Sequence, residues 1–291
     1  MTMMTPANGQ GVASSEPEAV VLPHSEAFDL ESSSKPGRTY HIEVALPSAP
    51  APKEGYSVLY VLDGNARFPL LREARETLIR DGPSGNALPL LIVGIGYPGV
   101  ERFALEQRAL DYTPPGDGIG DGQGGAKDFL RFIMDTLQPA IAERYAVNDE
   151  RTALLGHSYG ALFALHVLQT CPECFRDYIA ISPSLWWNQG QLLTEFGQLA
   201  QDATWCEALR GHRLLLGVGG DEQKPRPDED EILSKLREQR AMVDNTIALG
   251  QLLDAQCSLL THEQVVFAGE DHGSVMWPAA RQVMKFLTTG E

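Results

Sequence analysis

Short apolar runs and longer amphipathic segments alternate along this chain from residue 39 onward. The apolar runs, rich in Val, Ile and Leu, predict β-strands at Tyr40–Leu46, Ser57–Leu62, Leu90–Ile95, Thr152–Leu155, Tyr178–Ile181, Arg213–Val218 and Gln264–Phe267. Most of these runs are continuous and do not alternate with polar residues, which is typical of strands buried on both faces. The sequence therefore predicts a mostly parallel sheet that helices cover on both sides.

Segments with helical periodicity separate these strands. They predict helices at Phe68–Arg80, Lys127–Tyr145, Tyr159–Thr170, Glu231–Leu253 and Pro278–Thr288. Pro139 lies inside the second helix and should kink it or change its register, because proline removes a backbone donor and clashes with the preceding turn. Alternation of strands and helices is typical of a doubly wound α/β fold. We expect a single domain over residues 26–291.

Three stretches fall outside this alternation. Residues 1–25 are rich in Pro, Ser, Glu and Ala, and we expect them to form a disordered tail. Long loops are expected at Gly99–Gly125, which contains the run PPGDGIGDGQGG, and at Gln223–Asp230. A loop as long as the first is usually functional or mobile in a compact domain. A tolerated surface insertion is the alternative interpretation.

Composition limits the classes of function. The 291 residues include 23 Lys+Arg and 39 Asp+Glu, a formal net charge of −16 at pH 7. This charge argues against binding nucleic-acid phosphates over a broad surface, but it allows a local cationic pocket. No apolar run approaches the roughly 20 residues that cross a bilayer. The first 20 residues lack the basic start and apolar core of a secretory signal. The expected compartment is therefore periplasmic if a signal peptide was removed upstream and cytoplasmic otherwise.

The cysteines give a weak signal. Cys171 and Cys174 form a C-P-E-C pair, and Cys206 and Cys257 stand apart. A zinc site would need a second ligand pair at similar spacing, which the sequence lacks. We interpret the pair as buried or incidental thiols in a turn after a helix. A disulfide between them in an oxidising compartment stays open.

The segment Gly156–Gly160 reads G-H-S-Y-G, between the apolar run TALL and the helical segment YGALFALHVLQ. This strand–turn–helix setting is the one in which G-x-S-x-G forms a nucleophile elbow. The turn is so tight that large flanking side chains would clash, which explains a glycine at each end. It would place Ser158 beside a helix N terminus, where free N–H groups and the helix dipole favour negative charge. Ser158 is therefore the candidate nucleophile.

A serine hydroxyl needs a general base, which comes last in the chain order of such hydrolases. His272, in the loop GEDHG behind the last predicted strand, is the candidate. His157, inside the elbow, is interpreted as a packing residue. The acid that orients the base should follow the run RLLLGVG, where Asp221 and Glu222 are both available.

The oxyanion of a tetrahedral intermediate needs two backbone N–H donors. We expect one from Tyr159, directly after the nucleophile, and the other from Asn65. Asn65 lies in an Asp-Gly-Asn turn after the run VLYVL, where Gly64 would let the backbone approach closely. A turn with no catalytic part is the alternative for this segment.

Longer segments carry a resemblance to a known family. They are VLYVLDGNARF, RALDYTPP, FIMDTLQPAIAERYAVNDERTALLGHSYGALFALHVL, YIAISPSLWW and GEDHGSVMWPA. From about Phe28 to the C terminus the chain resembles an esterase branch of the α/β-hydrolases, and within it the siderophore esterases that hydrolyse the trilactone of enterobactin and its glucosylated relatives. The resemblance implies an α/β-hydrolase fold with Ser158 as nucleophile, His272 as base and Glu222 as acid. The segment GGDEQKPRPDED departs from the family pattern, which keeps Asp221 as the alternative acid.

An enzyme of this kind would bind a ferric tris-catecholate, a trianion with flat aromatic faces. Arg102 and Arg108, in the stretch that ends in DYTPP, are the expected cations. Trp186 and Trp187 are the expected aromatic surfaces, one exposed and the other buried. Solvated loop arginines and core tryptophans are the alternative interpretations.

The leading functional hypothesis is a serine esterase that cleaves a catecholate siderophore trilactone and so releases iron. The alternatives are a feruloyl- or acetyl-type carboxylesterase of the same branch, which would not need the arginines, and a siderophore carrier that only binds. The expected partner is a small-molecule ester, ferric or apo, and not a nucleic acid. No metal or organic cofactor is expected, because any iron would arrive with the substrate.

Overall fold

A computed structural model describes residues 19–80, 89–226 and 229–288. The described strands form one sheet: β1 Ser25–Glu31, β2 Thr39–Ala45, β3 Tyr56–Leu62, β4 Leu90–Gly96, β5 Val147–His157, β6 Asp177–Ile181, β7 Arg213–Gly219 and β8 Thr261–Phe267. Their order across the sheet is β1-β2-β4-β3-β5-β6-β7-β8. β2 runs antiparallel to β1 and β4. The strands β4, β3, β5, β6, β7 and β8, in their order across the sheet, are parallel to one another. The predicted mostly parallel sheet is confirmed.

Helices cover both faces of this sheet, as predicted. They are α1 Gly64–Arg80, α2 Leu105–Tyr112, α3 Ala126–Phe132, α4 Gln138–Arg144, α5 Tyr159–Thr170, α6 Trp187–Leu199, α7 Ala203–Ala208, α8 Glu231–Arg240, α9 Met242–Gln256 and α10 Met276–Thr288. One face packs against α1 and α10, for example through Phe68 and Met276. The other face packs against α2 to α7 and α9, for example through Phe163 and Leu249. None of the described helices is long and apolar enough to span a membrane.

The strand β1 was not predicted. In it Phe28 and Leu30 alternate with more exposed polar residues, and the strand pairs antiparallel with β2 at the edge of the sheet. A one-sided edge strand is less apolar than a buried strand, so its signal is weaker. β1 begins at Ser25, the last residue of the predicted tail. Residues 1–18 of that tail lie outside the described residues.

The helix predicted around Pro139 changes register, as expected. Between α3 and α4 lies a π-helical turn, Ile133–Leu137, in which the Gln138 N–H donates to the Ile133 carbonyl. The wider turn adds one residue just before Pro139, which has no N–H to donate.

The single helix predicted over Glu231–Leu253 is wrong, because the structure breaks it at Ala241. This residue has φ +45° and ψ +43°, in the left-handed region, and separates α8 from α9. The loop predicted at Gly99–Gly125 is also interrupted, by α2. The helices α6 and α7 were not predicted. Of the second predicted loop, residues 227 and 228 lie outside the described part of the chain.

The cysteines are paired. Cys171 and Cys174 form a disulfide in the turn after α5, which is the alternative that the sequence left open. The predicted turn is present, but the interpretation of the pair as incidental thiols is wrong. Cys206 in α7 is bonded to Cys257, directly after α9. This second bond crosses a sequence separation of 51 residues, for which the sequence carries no pairing signal.

Candidate active site

The predicted elbow joins β5 to α5. Ser158 adopts φ +60° and ψ −120°, a strained conformation that the tight turn imposes. A Cβ atom on Gly156 would lie 2.0 Å from the Gly160 carbonyl oxygen, which no side chain tolerates. A Cβ atom on Gly160 would lie 3.4 Å from Leu62, an ordinary contact. The turn therefore requires glycine at position 156 more strictly than at position 160.

The structure brings the predicted nucleophile, base and acid together at the carboxyl edge of the sheet. Ser158 follows β5, Glu222 follows β7 and His272 follows β8. The Ser158 Oγ lies 3.0 Å from the His272 Nε2, and the His272 Nδ1 lies 2.7 Å from the Glu222 Oε2. This is the geometry in which an imidazole can remove the serine proton while a carboxylate orients the ring and stabilises its charged form.

Glu222, and not Asp221, contacts the histidine. The Glu222 side chain is buried, and its second oxygen accepts hydrogen bonds from the Gly219 N–H at 2.7 Å and from the Ser182 hydroxyl. These donors stabilise a carboxylate that burial alone would destabilise. The Asp221 carboxylate pairs instead with Lys224 at the surface.

The loop that carries His272 is held by its own backbone. The Asp271 Oδ1 accepts hydrogen bonds from the N–H groups of Gly273 at 2.8 Å and Ser274 at 2.9 Å. Hydrogen bonding to the Ser274 backbone is the main reason why the pKa of Asp271 lies below its usual value. The neighbouring acid thus shapes the loop and does not orient the imidazole.

His157 packs behind the proposed base. Its ring centroid lies 4.6 Å from that of His272, and its Nδ1 lies 3.1 Å from the Arg67 Nη2. Burial first, and the positive charges nearby second, hold the pKa of His157 well below its usual value. Since a guanidinium can only donate, Nδ1 accepts and the proton of the neutral ring sits on Nε2. The packing role predicted for His157 is consistent with this contact.

The two expected oxyanion donors lie at adjacent helix N termini. Tyr159 opens α5, and Asn65 is in the first turn of α1, which follows the neighbouring strand β3. The first amides of a helix have no acceptor within it, so both N–H groups suit the predicted role. The Asn65 side chain accepts from the Tyr97 N–H at 2.8 Å and donates to the Val100 carbonyl at 2.9 Å, which fixes the turn. Gly64 lets the start of α1 approach β4 closely, because a Cβ atom at this position would lie 2.8 Å from the Gly94 carbonyl carbon.

A cavity of about 310 Å³ opens over Ser158. Two of the four predicted binding residues line it, Arg108 and Trp186. Trp187 is buried in the core, whereas Trp186 is partly exposed and faces the site. Arg102 lines a neighbouring cavity instead.

Arg108 forms an ion pair with Asp63. Its guanidinium donates to both oxygens of Asp63, at 2.8 and 2.9 Å. Burial acts to lower the pKa of Arg108, but the Asp63 carboxylate outweighs burial and the pKa is raised. The group lies over the rings of Tyr159 and Tyr112, with its central carbon 5.6 and 5.4 Å from their centroids. Arg108 therefore adds a donor surface to the site but little net charge.

The opposite wall comes from α8, which sequence reasoning missed. Leu233, Leu236, Arg237 and Arg240 line the cavity from this helix. The Arg237 guanidinium pairs with Glu229. The Arg240 guanidinium lies 4.6 Å above the Trp186 ring and has no carboxylate partner among the described residues. These residues are spaced by three and four, which places them on one face of the helix. This spacing is the pattern in the sequence that could have indicated the wall.

Comparisons with known proteins assign the chain to a family. The family described as "Putative esterase" matches residues 33–251. The chain is 35% identical over 275 residues to the siderophore enterobactin esterase of Emericella nidulans, and this alignment covers 86% of this chain and 89% of the relative. It is 36% identical over 272 residues to the siderophore triacetylfusarinine C esterase of Aspergillus fumigatus, and this alignment covers 89% of this chain and 91% of that relative. The solved structure of the siderophore hydrolase EstB from Aspergillus nidulans matches with a TM-score of 0.80 at 34% identity, over 94% of this chain and 97% of that one. The chain belongs to the putative-esterase family.

Proposed function

We propose that this esterase hydrolyses the ester bonds of a catecholate siderophore trilactone of the enterobactin type. The observation that carries the proposal is the row Ser158–His272–Glu222 at the floor of a cavity whose wall holds the Arg240 guanidinium over an aromatic ring, with no carboxylate partner in the described part of the chain. Catecholates combine negative charge with flat aromatic faces, which Arg240 and Trp186 complement. The relative named for enterobactin supports this substrate class, and the relative named for triacetylfusarinine C supports ester siderophores more broadly.

The first half-reaction forms an acyl-enzyme. The Ser158 Oγ attacks an ester carbonyl carbon while the His272 Nε2 takes the hydroxyl proton. Glu222 holds the imidazole in the tautomer whose Nε2 accepts, and stabilises the imidazolium that forms. The N–H groups of Tyr159 and Asn65 are assigned to the oxyanion of the tetrahedral intermediate. The intermediate then collapses, the bond from the carbonyl carbon to the leaving seryl oxygen breaks, and His272 protonates that oxygen.

The second half-reaction returns the free enzyme. His272 removes a proton from water, and the resulting hydroxide attacks the acyl carbon bound to Ser158. The Ser158 oxygen leaves and regains its proton from His272, and the product carries a free carboxylate. Opening the trilactone lowers its affinity for iron, because the catechols are no longer held together in the arrangement that binds the metal.

A substrate panel tests the proposal. The values of kcat/KM are measured for ferric enterobactin, triacetylfusarinine C and p-nitrophenyl acetate. We expect ferric enterobactin to be the best substrate, because its aryl arms supply binding energy that the small ester lacks. Equal efficiency on ferric enterobactin and p-nitrophenyl acetate would contradict the proposal. The Ser158→Ala variant is the control: it should bind ferric enterobactin and not turn it over.

A further inference from the structure

A second cavity, of about 570 Å³, lies between α1 and α10 beside Gly273 of the His272 loop. Leu70 and Ala280 give it apolar walls, and Trp277 lines it while leaving 72% of its surface exposed. Trp277 therefore offers a solvent-accessible aromatic face at the edge of the cavity, where a flat ring can stack. The proposed reaction leaves this cavity unused.

Three arginines line the same cavity: Arg67, Arg102 and Arg281. None of them forms an ion pair with a carboxylate in the described part of the chain. Glu73 is the acidic residue of the lining, and Arg72 already pairs with it at 3.2 Å. In a chain whose net charge is −16, these guanidinium groups form a local excess of positive charge.

Arg67 is the most informative of the three. Only 8% of its surface is exposed, and its Nε has no acceptor in the described structure. The negative charge that acts most strongly on Arg67 is that of Asp63, but both oxygens of Asp63 already accept hydrogen bonds from Arg108. A buried guanidinium with unused donors is costly, and a bound anion would offset that cost. Burial also lowers the pKa of Arg67, whose hydrogen bond to the neutral His157 ring supplies no compensating negative charge.

We propose that the cavity between α1 and α10 binds an aromatic anion, with Trp277 against its ring and the guanidinium groups of Arg67, Arg102 and Arg281 around its charge. Two sources share this chemistry: a second aryl arm of the bound ester, or a free aroyl product with its carboxylate. The inference rests on the proposed function. The cavity over Ser158, at about 310 Å³, is smaller than this one, and it already takes the ester under attack. Gly273, which follows His272 in sequence, lines the second cavity.

The test begins with binding of 2,3-dihydroxybenzoate, measured by calorimetry. We expect saturable binding to the wild type and an affinity about 10-fold lower in Arg281→Gln, since a charge-assisted hydrogen bond is lost. Trp277→Ala should weaken binding as well, and both sites are exposed enough for the variants to fold. Arg210→Gln, at an exposed arginine paired with Glu207 before β7, is the matched control and should bind like the wild type. Unchanged affinity in both cavity variants would overturn the proposal.

Kinetics with ferric enterobactin then separate the two sources. If the cavity holds a second arm, Arg281→Gln raises KM for this ester by about 10-fold more than KM for p-nitrophenyl acetate. If it holds a free product, KM for the ester stays at the wild-type value while 2,3-dihydroxybenzoate binding is still lost. Both results support the site. A wild type that cannot hydrolyse ferric enterobactin, yet binds the acid through Arg281, would refute the proposed function and leave the site standing.

Discussion

The two walls of the cavity over Ser158 differ in burial and hydrogen bonding. On one side the proposed triad follows three strands of the sheet, and the buried Glu222 carboxylate accepts hydrogen bonds from a backbone amide, a serine and the histidine. On the other side stands α8, a helix that contains no buried residue. Its Leu233 and Leu236 are 51% and 40% exposed although they face the cavity.

The difference follows from what each wall has to do. Bond-making needs reacting atoms held to within fractions of an ångström, which strand ends and saturated hydrogen bonds provide. Recognition of a large ligand needs surface, which a weakly packed helix offers at low structural cost. Ala241, in its left-handed conformation, lets α8 leave the direction of α9 and cover the site. We expect substitutions in the two walls to differ in kind as well as in size.

Ser158→Ala should give the largest effect. We expect kcat to fall by about 10⁵- to 10⁶-fold, because the attacking oxygen is removed and only cavity and oxyanion donors remain. Binding of ferric enterobactin should change little, since the α8 wall is intact. Steady-state turnover and equilibrium binding are measured on the same preparation. If Ser158→Ala lost binding as well as turnover, the result would contradict the assignment of chemistry to one wall and binding to the other.

Glu222→Gln should come next. We expect a loss in kcat of about 10³- to 10⁴-fold with KM nearly unchanged, because the amide no longer stabilises the imidazolium. The matched control is Asp221→Asn, the neighbour that pairs with Lys224 at the surface, and it should retain wild-type kcat. A larger loss in Asp221→Asn than in Glu222→Gln would show that the structure assigns the wrong acid.

Arg240→Gln should show the opposite pattern. We expect KM for ferric enterobactin to rise by about 10-fold with little change in kcat, since a cation over an aromatic ring contributes to ligand binding and not to proton transfer. Lys235→Gln, on the same helix and paired with Glu231, is the control and should match the wild type. A fall in kcat at unchanged KM would mean that α8 takes part in the chemistry.

The smallest effect concerns stability and pH. The pKa of His157 is depressed in the folded protein, so below about pH 6.5 the unfolded chain binds a proton that the folded chain does not. The free energy of unfolding should therefore fall as the pH drops, by up to about 1.4 kcal/mol per pH unit. His157→Gln, which keeps an acceptor for Arg67, should fall less steeply. Urea unfolding between pH 7.5 and 5 measures both slopes, and equal slopes would contradict the assignment.

The sequence was most informative where a feature is local. The buried strands, the elbow around Ser158 and the position of His272 after the last strand depend on short runs and on chain order, and these are readable without coordinates. The choice between Asp221 and Glu222 was not readable from the residues alone, because it depends on which of two adjacent side chains turns inward after β7. The resemblance to a family favoured Glu222, and the contact distance agrees.

What the sequence missed depends on distant contacts. Arg240 reaches the site only because the chain turns at Ala241, and alanine carries no local signal for a left-handed conformation. The bond from Cys206 to Cys257 depends on how α7 and α9 pack. The charges of Arg102 and Arg108 were expected to act together, but Asp63 neutralises Arg108 and the fold places Arg102 in the other cavity.

The central claim is that His272 activates Ser158 for covalent attack. Intact-protein and peptide mass spectrometry after reaction with a fluorophosphonate tests it most directly, because this reagent phosphorylates serines that a neighbouring base activates. We expect one adduct, on the peptide that contains Ser158, with labelling strongly slowed in His272→Ala. The nearest competitor is Ser184, whose hydroxyl lies 3.4 Å from that of Ser158. Labelling of Ser184 instead, or an equal rate in His272→Ala, would contradict the claim.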